Sequence, residues 1–364
     1  MCQASAIDST IWPYLYQLNK PTTEESYPVT APIVAPRYTS PCIPARPEGS
    51  AASCSGRNII PVLDSASRSS RTARAVLFCV LYTAVTLSVA TPASAAPAPA
   101  GLELVWSDDF DGTTIDPTKW DVFTGNYGTP KRVQIYSDAP ENVRVENGTL
   151  ILEATLEGDQ WHSGMVSTND VQEPNNSRFA RGNLGWTFGR FEIRARVPHA
   201  TGMWPALWMR PIDFTYGVND KGKGWPLNGE IDILEYIGPD HNPQWPNAPI
   251  NELVANAHWQ QDGKRKQRKG TFDLGGPKAA AAFVSEWHTY AFEWTPHRLE
   301  YFIDGQSYHV IENWTSDTGG IGPFDQNFDI IMNLQVGGWP GDPVPSSAGS
   351  QMEIDWVRVY QDNG

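Results

Sequence analysis

No cysteine occurs between residues 97 and 364; the four in the chain, Cys2, Cys42, Cys54 and Cys79, all lie upstream. That absence excludes a disulfide framework and thiolate catalysis from the C-terminal three quarters of the chain, and with no Cys/His cluster a zinc site is not expected there. Basic charge is also short: residues 97–364 carry 36 acidic and 20 basic side chains, a formal balance of −16. Such a surface excludes nucleic acid as a partner. Alternating strand-like and helix-like segments are missing too, which excludes a parallel α/β fold.

The first hundred residues read as leader rather than domain. Residues 1–67 are rich in Pro, Ser, Thr and Ala without sustained periodicity and are expected to be disordered, or not made at all if translation starts downstream. From 68 to 95 come Arg68, Arg71 and Arg74, the apolar run AVLFCVLYTAVTLSVA, and a small-residue site at Ala93-Ser94-Ala95. These are the three parts of a secretory signal. The sixteen-residue run is shorter than the ~20 residues of a membrane span. An uncleaved anchor with a cytoplasmic tail is the competing reading. Residues 96–101 would link to a domain at 102–364, long enough for one large all-β core.

Within that domain strand patterns dominate. In VRVENGTLILEA an Asn147-Gly148 pair separates two apolar runs, a strong hairpin signal. In GRFEIRARVP, Phe191, Ile193, Ala195 and Val197 alternate with Glu192, Arg194 and Arg196, as in a strand with one wet face. TYAFEW, FDIIMNL and MEIDWVRVY repeat the pattern, and one short helix is expected near 277–283. The fold class expected is all-β, a sandwich of antiparallel sheets.

One strand is anomalous. GEIDILEYIG, residues 229–238, carries Glu230, Asp232 and Glu235 where a buried strand should carry almost no charge. Glu230 and Asp232 share a face, whereas Glu235 is out of phase unless a β-bulge at Ile233-Leu234 restores it. With the bulge, four effective strand steps separate the two Glu Cα atoms by ~13 Å, and inward-leaning side chains leave ~5 Å between carboxyls. A gap of ~5–5.5 Å suits retaining glycoside hydrolysis, while inverting enzymes need ~6.5–9.5 Å to admit a water. Glu230 would then be nucleophile and Glu235 acid/base, with Asp232 sharing a proton with Glu230. A solvated acidic face and a calcium-binding edge are the bland alternatives.

GEIDILEYIG resembles the bulge-type E-x-D-x-x-E signature of glycoside hydrolase family 16, and GMWPALWM at 202–209 resembles the segment preceding it in that family's laminarinases. GRFEIRARVP, EWHTYAFEWTPHRLEYFIDG, PFDQNFDIIMNLQVGGWPG and EIDWVRVYQ fall in family order, so the similarity spans 102–361. The resemblance implies a β-jelly roll with an open concave cleft and assigns Glu230, Asp232 and Glu235 as nucleophile, helper and acid/base. It further implies a retaining endo-hydrolase of β-1,3-glucan or mixed β-1,3/1,4-glucan. VQIYSD at 133–138 stands where laminarinases usually carry ELQYYT, and GGWPG lacks the Asn of GGNWPG, so contacts at that end differ. Galactan hydrolases, non-catalytic glucan-recognition proteins and lectin-like sandwiches are the alternatives.

Other candidates are drawn from the same blocks. Fourteen of fifteen tryptophans lie after residue 100, and Trp204, Trp208 and Trp339 are expected to stack on sugar rings. Asn333, Gln335 and His258 are expected to contact substrate. Asp109, the Asn147-Gly148 turn and Asp355 match places where relatives hold a structural calcium, an ion suited to oxygen donors; no cofactor is expected for catalysis. The run KRKQRK at 264–269 reads as a solvated basic loop or as a contact for an anionic polysaccharide. The partner expected is a polysaccharide, met by a secreted monomer with no membrane in its mature form.

Overall fold

The computed structural model describes residues 99–127, 133–169, 184–212, 224–239 and 249–362. The leader expected at 1–95 lies outside the described residues. In chain order the strands begin with β1 (Glu103–Asp108), β2 (Asp121–Val122), β3 (Gln134–Tyr136), β4 (Val143–Glu146), β5 (Thr149–Glu157) and β6 (Gln160–Ser163). They continue with β7 (Met165–Ser167), β8 (Gly189–Arg196), β9 (Met203–Pro211), β10 (Glu230–Tyr236), β11 (Glu252–Gln261), β12 (Lys264–Gln267) and β13 (Gly270–Asp273). The helix α1 (Pro277–Val284) precedes β14 (His288–Thr295), β15 (Arg298–Ile303), β16 (Gln306–Glu312), β17 (Phe328–Val336) and β18 (Ser350–Gln361).

These strands form two sheets, ordered β16-β15-β14-β8-β18-β5-β6-β3 and β12-β11-β10-β9-β17-β7-β2, with β1 and β4 added to the first and β13 to the second. Every pairing is antiparallel except β3 with β6. The result is the expected β-jelly roll. The Asn147-Gly148 pair makes the β4–β5 turn, with φ of 53° and 75°, and the helix falls where its sequence placed it.

The first sheet obeys its alternation. Phe191, Ile193 and Ala195 of β8 are fully buried, while its outward arginines pair across the sheet. Arg190 meets Glu293 at 2.7 Å and Arg196 meets Glu353 at 2.8 Å, each with its register partner. Partly exposed pairs of this kind contribute about 1 kcal/mol or less apiece, so the inward aromatics Phe191, Phe292, Trp294 and Tyr301 carry the packing.

The second sheet is buried along both faces at its centre, with β9 and β17 buried at every position. One face joins the core through Met203, Leu207 and Met209 of β9 and Ile330, Met332 and Leu334 of β17. The opposite face carries Trp204, Ala206 and Trp208, with Asn333 and Gln335 beside them, and lines a cleft. The basic run, expected as a loop, is instead the sheet's edge: 264–267 form β12, paired to β11 from His258↔Gln267 to Gln261↔Lys264. Its consecutive charges are tolerated because an edge strand has a free side, and charge there discourages strand addition.

At Gly189 the backbone has φ +114°, and a Cβ would lie 2.3 Å from the carbonyl oxygen of Tyr360, on the partner strand β18. At Gly148 φ is +75°, with nothing within 4 Å. Both Gly→Ala changes strain the backbone, but only the first also forces β8 from β18. Thermal unfolding should show Gly189→Ala losing well over ~1 kcal/mol and clearly more than Gly148→Ala; equal losses would remove the steric account.

Candidate active site

The strand β10 departs from simple alternation at the position its sequence marks. Against β9 its register runs Asp232↔Trp208 and then Leu234↔Leu207, and against β11 it runs Asp232↔Asn256 and then Glu235↔Val254. Two residues of β10 therefore oppose one of β9, a β-bulge at Ile233-Leu234. Its cause is visible in the packing: Ile231, Ile233, Leu234 and Tyr236 all belong to the core. With two consecutive apolar side chains turned inward, Glu235 returns to the face of Glu230 and Asp232. All three carboxylates line one cleft of about 410 Å³.

Each carboxylate has defined neighbours. The indole Nε1 of Trp204 donates to Oε1 of Glu235 at 3.1 Å. Nε2 of His258 lies 3.2 Å from Oδ2 of Asp232 and 3.7 Å from Oε1 of Glu230. Nδ2 of Asn256 donates to that same imidazole nitrogen at 3.0 Å, which makes Nε2 an acceptor and leaves the ring proton on Nδ1. Glu230, Asp232 and His258 also bring possible ligand atoms within 4.8 Å of one another, the one such group of His, Cys, Asp or Glu among the described residues.

Burial dominates the electrostatics. It raises the Glu230 carboxyl to about 8, reinforced by Asp232, and raises Asp232 to about 7. Glu235 is pushed well above the usual carboxylate range by burial and then by Asp232, against the opposing Trp204 hydrogen bond. Burial depresses His258 to about 4, so the imidazole is neutral at neutral pH. Three acids crowded in a desolvated cleft hold protons that isolated acids would release.

The other expected residues gather here too. Trp204, Trp208, His258, Asn333, Gln335 and Trp339 all line the cleft. Trp204 and Trp339 meet edge to face at 5.5 Å. Trp208 donates to Oδ1 of Asn333 at 2.7 Å, and Asn333 donates to the Tyr136 hydroxyl at 3.1 Å. Gln335 donates to the carbonyl of Gly337 at 3.3 Å.

Sequence reading missed Tyr127, Tyr136, Trp225, Asn256, Gln267 and the cleft-facing members of the basic run, Arg265 and Lys269. Asn256 had a usable signal, since it precedes His258 by two on one strand. Tyr127 had none: it is placed by Arg210, whose Nη1 donates to its hydroxyl at 2.9 Å.

Asp109, Gly148 and Asp355 lie elsewhere. On one edge of β18, β5 pairs as far as Leu150↔Ile354 and β1 takes over at Asp108↔Val357. Asp355 sits in the gap, and Asp109 and Gly148 each stand one residue beyond the flanking strand. The three residues therefore stand near one edge of β18, and their oxygen atoms are of the kind calcium takes. Both carboxylates also face arginines: Asp109 accepts from Arg358 at 3.1 Å, and Asp355 accepts from Arg194.

Comparison with known proteins agrees with this geometry. A family model described as glycosyl hydrolases family 16 matches residues 135–358. The chain is 38% identical over 272 residues to a beta-glucanase of Rhodothermus marinus, covering 71% of this chain and 85% of that protein. A glucan endo-1,3-beta-glucosidase of Cryptopygus antarcticus is 32% identical over 271 residues, covering 71% and 91%. Among solved structures, the laminarinase from Rhodothermus marinus has a TM-score of 0.57 at 38% identity, covering 71% of this chain and 97% of that one. A non-specific endo-beta-1,3(4)-glucanase has a TM-score of 0.58 at 30% identity, covering 73% and 93%. With the bulged carboxylate strand in place inside the matched span, the chain belongs to glycoside hydrolase family 16.

Proposed function

We propose that this enzyme is an endo-acting β-glucan hydrolase that cleaves β-1,3 linkages, in laminarin or in mixed β-1,3/1,4-glucan, with retention at the anomeric carbon. The observation that carries the proposal is the shared face of Glu230, Asp232 and Glu235 beneath a tryptophan-lined cleft. The names of the relatives support the glucan. Galactan hydrolysis is the alternative on the same fold, and sugar release from laminarin, lichenan, agarose and carrageenan separates the two.

Glu230 is the nucleophile. It attacks the anomeric carbon while Glu235, kept protonated by burial, donates to the departing glycosidic oxygen. Glu235, now a carboxylate, takes a proton from an incoming water, and that water releases the sugar from Glu230. Asp232 and Glu230, both raised by burial, share a proton, and Glu230 attacks from the state in which Asp232 holds it. Oδ2 of Asp232 lies 3.2 Å from Nε2 of His258, but Asn256 already occupies that nitrogen, so the proton is held between Asp232 and Glu230 rather than given to the imidazole. As Glu230 becomes an ester its charge disappears, and the proton stays on Asp232 until hydrolysis frees Glu230 to share it again.

Glu230→Gln should lose ~10⁴-fold or more in kcat while retaining oligosaccharide binding. Glu235→Ala should keep activity on a glycoside whose leaving group needs no protonation, form a glycosyl azide with added azide, and lose the alkaline limb of its pH profile. Proton NMR of the first product should show the β-anomer. An initial α-anomer, or azide rescue of neither variant, would overturn the assignment.

A structural calcium ion is proposed for the gap beside β18, held by oxygen atoms of Asp109, Gly148 and Asp355. It would tie the ends of β1 and β5 to one strand. Saturating calcium should raise the unfolding midpoint over an EDTA-treated sample by about 4–6 °C, from ~2–3 kcal/mol of linkage. An unchanged midpoint would leave the arginine pairs as the sole function of these carboxylates.

Secretion as a monomer is proposed from the leader at 68–95 and the acidic balance of residues 97–364. Among the described residues no helix is long and apolar enough to cross a membrane. Mass spectrometry of the extracellular protein should find an N-terminus near Ala96; residues 1–67 on active extracellular protein would refute cleavage there.

A further inference from the structure

The basic run at 264–269 stands at the border of the cleft, and strand phase divides it. Because β12 pairs Gln267 with His258 and Arg265 with Gln260, Arg265 and Gln267 share the face of His258. Arg265, Gln267 and Lys269 line the cleft. Lys264, Lys266 and Arg268 alternate to the other face, where Arg268 lies 6.0 Å over the Trp259 ring and donates to the carbonyl of Glu312. Two cations are thus aimed into the cleft of a domain whose net charge is strongly negative.

Arg265 is held in place. Its guanidinium lies 5.5 Å over the Trp225 ring, and Nη2 donates to Oε1 of Gln267. Its Nε is buried without a hydrogen-bond partner. Among the described residues, neither Arg265 nor Lys269 approaches a carboxylate closely enough for an ion pair, although three carboxylates line the same cleft. Arg265 acts on all three carboxyls through space, and Lys269 on Glu235, without either cation being tied to one of them by a contact. A guanidinium seated on an indole, with an exposed ammonium four residues along the same face, also matches the oxygens of sulfates or carboxylates carried along a chain. A neutral glucan offers only hydroxyls to such a pair.

We propose that Arg265 and Lys269 form an anion-accepting subsite at the β12 edge of the cleft, and that the preferred polysaccharide carries a sulfate ester or carboxylate on a sugar bound there. The proposal rests on the glucanase reading for the backbone of the chain and adds the substituent. The opposite side of the cleft, lined by Tyr136, Trp208 and Asn333, presents aromatic faces and neutral polar groups.

The test is calorimetric titration of the Glu230→Gln protein with laminarin oligosaccharides that are neutral, sulfated or carboxymethylated to equal degree. Anionic chains should bind about ten-fold or more tightly than neutral ones, and the preference should shrink between low and high salt. Adding Arg265→Gln and Lys269→Gln should abolish the preference. Adding Lys264→Gln and Lys266→Gln, with the same loss of charge on the other face, should preserve it. The larger gain between sulfated and carboxymethylated chains names the anion. Equal affinity for neutral and anionic chains, or equal loss in both double variants, overturns the subsite. The glucanase reading fails separately, if the unsubstituted enzyme neither binds nor cleaves neutral laminarin.

Discussion

The site depends on two adjacent apolar residues, Ile233 and Leu234, both entering the core. Each contributes ~1.5–3 kcal/mol when fully buried, and both are essentially inaccessible. An unbulged β10 would turn one of them into the cleft and drive Glu235 into the space between the sheets. That exchange loses apolar burial and places a carboxyl among Leu, Met and Phe side chains with no partner, a far larger cost. The bulge is therefore the lower-energy arrangement of this sequence. The catalytic geometry rides on a packing preference rather than opposing one.

From that phase the electrostatics arise. Once three carboxyls share a desolvated face they cannot all ionise, and the neighbours decide where protons stay. The indole of Trp204 donates to Glu235, while the imidazole of His258 faces Asp232 and Glu230. Because burial holds His258 neutral and Asn256 occupies Nε2 as a donor, the imidazole accepts rather than supplies charge. A lysine in its place would pin Asp232 as an anion and remove the relay between nucleophile and helper.

The fold and the carboxylate strand were legible because both rest on local rules: period-two alternation, the Asn-Gly turn and a run of charges that only a bulge can reconcile. The cleft walls were less so. Trp204, Trp208 and His258 could be proposed from the blocks around β9 and β11, whereas Tyr127 and Trp225 come from segments without strand periodicity and reach the cleft only through tertiary contacts. The basic run was misread for a more instructive reason. Consecutive charges usually mean a solvated loop, but at a sheet edge the same residues obey strand phase. Every second one then belongs to a different environment.

The cleft's two sides are consequently built from different chemistry. Toward β17 the cleft is lined by rings and amides, surfaces that recognise pyranose faces and hydroxyls and tolerate any neutral glucan. Toward β12 it is lined by Arg265, seated on the Trp225 ring, and by the exposed Lys269, the pair proposed to select by charge. Both sides flank the same three carboxyls, so a change in β12 that leaves the core phase of β10 untouched alters which chains are accepted without moving the atoms that cleave them. The edge strand packs less tightly than β9, β10 or β17, and its substitutions cost little stability. Under the proposed subsite, substrate choice is separated from the bulge that sets the catalytic geometry, and Arg265 reaches the carboxyls only through its charge.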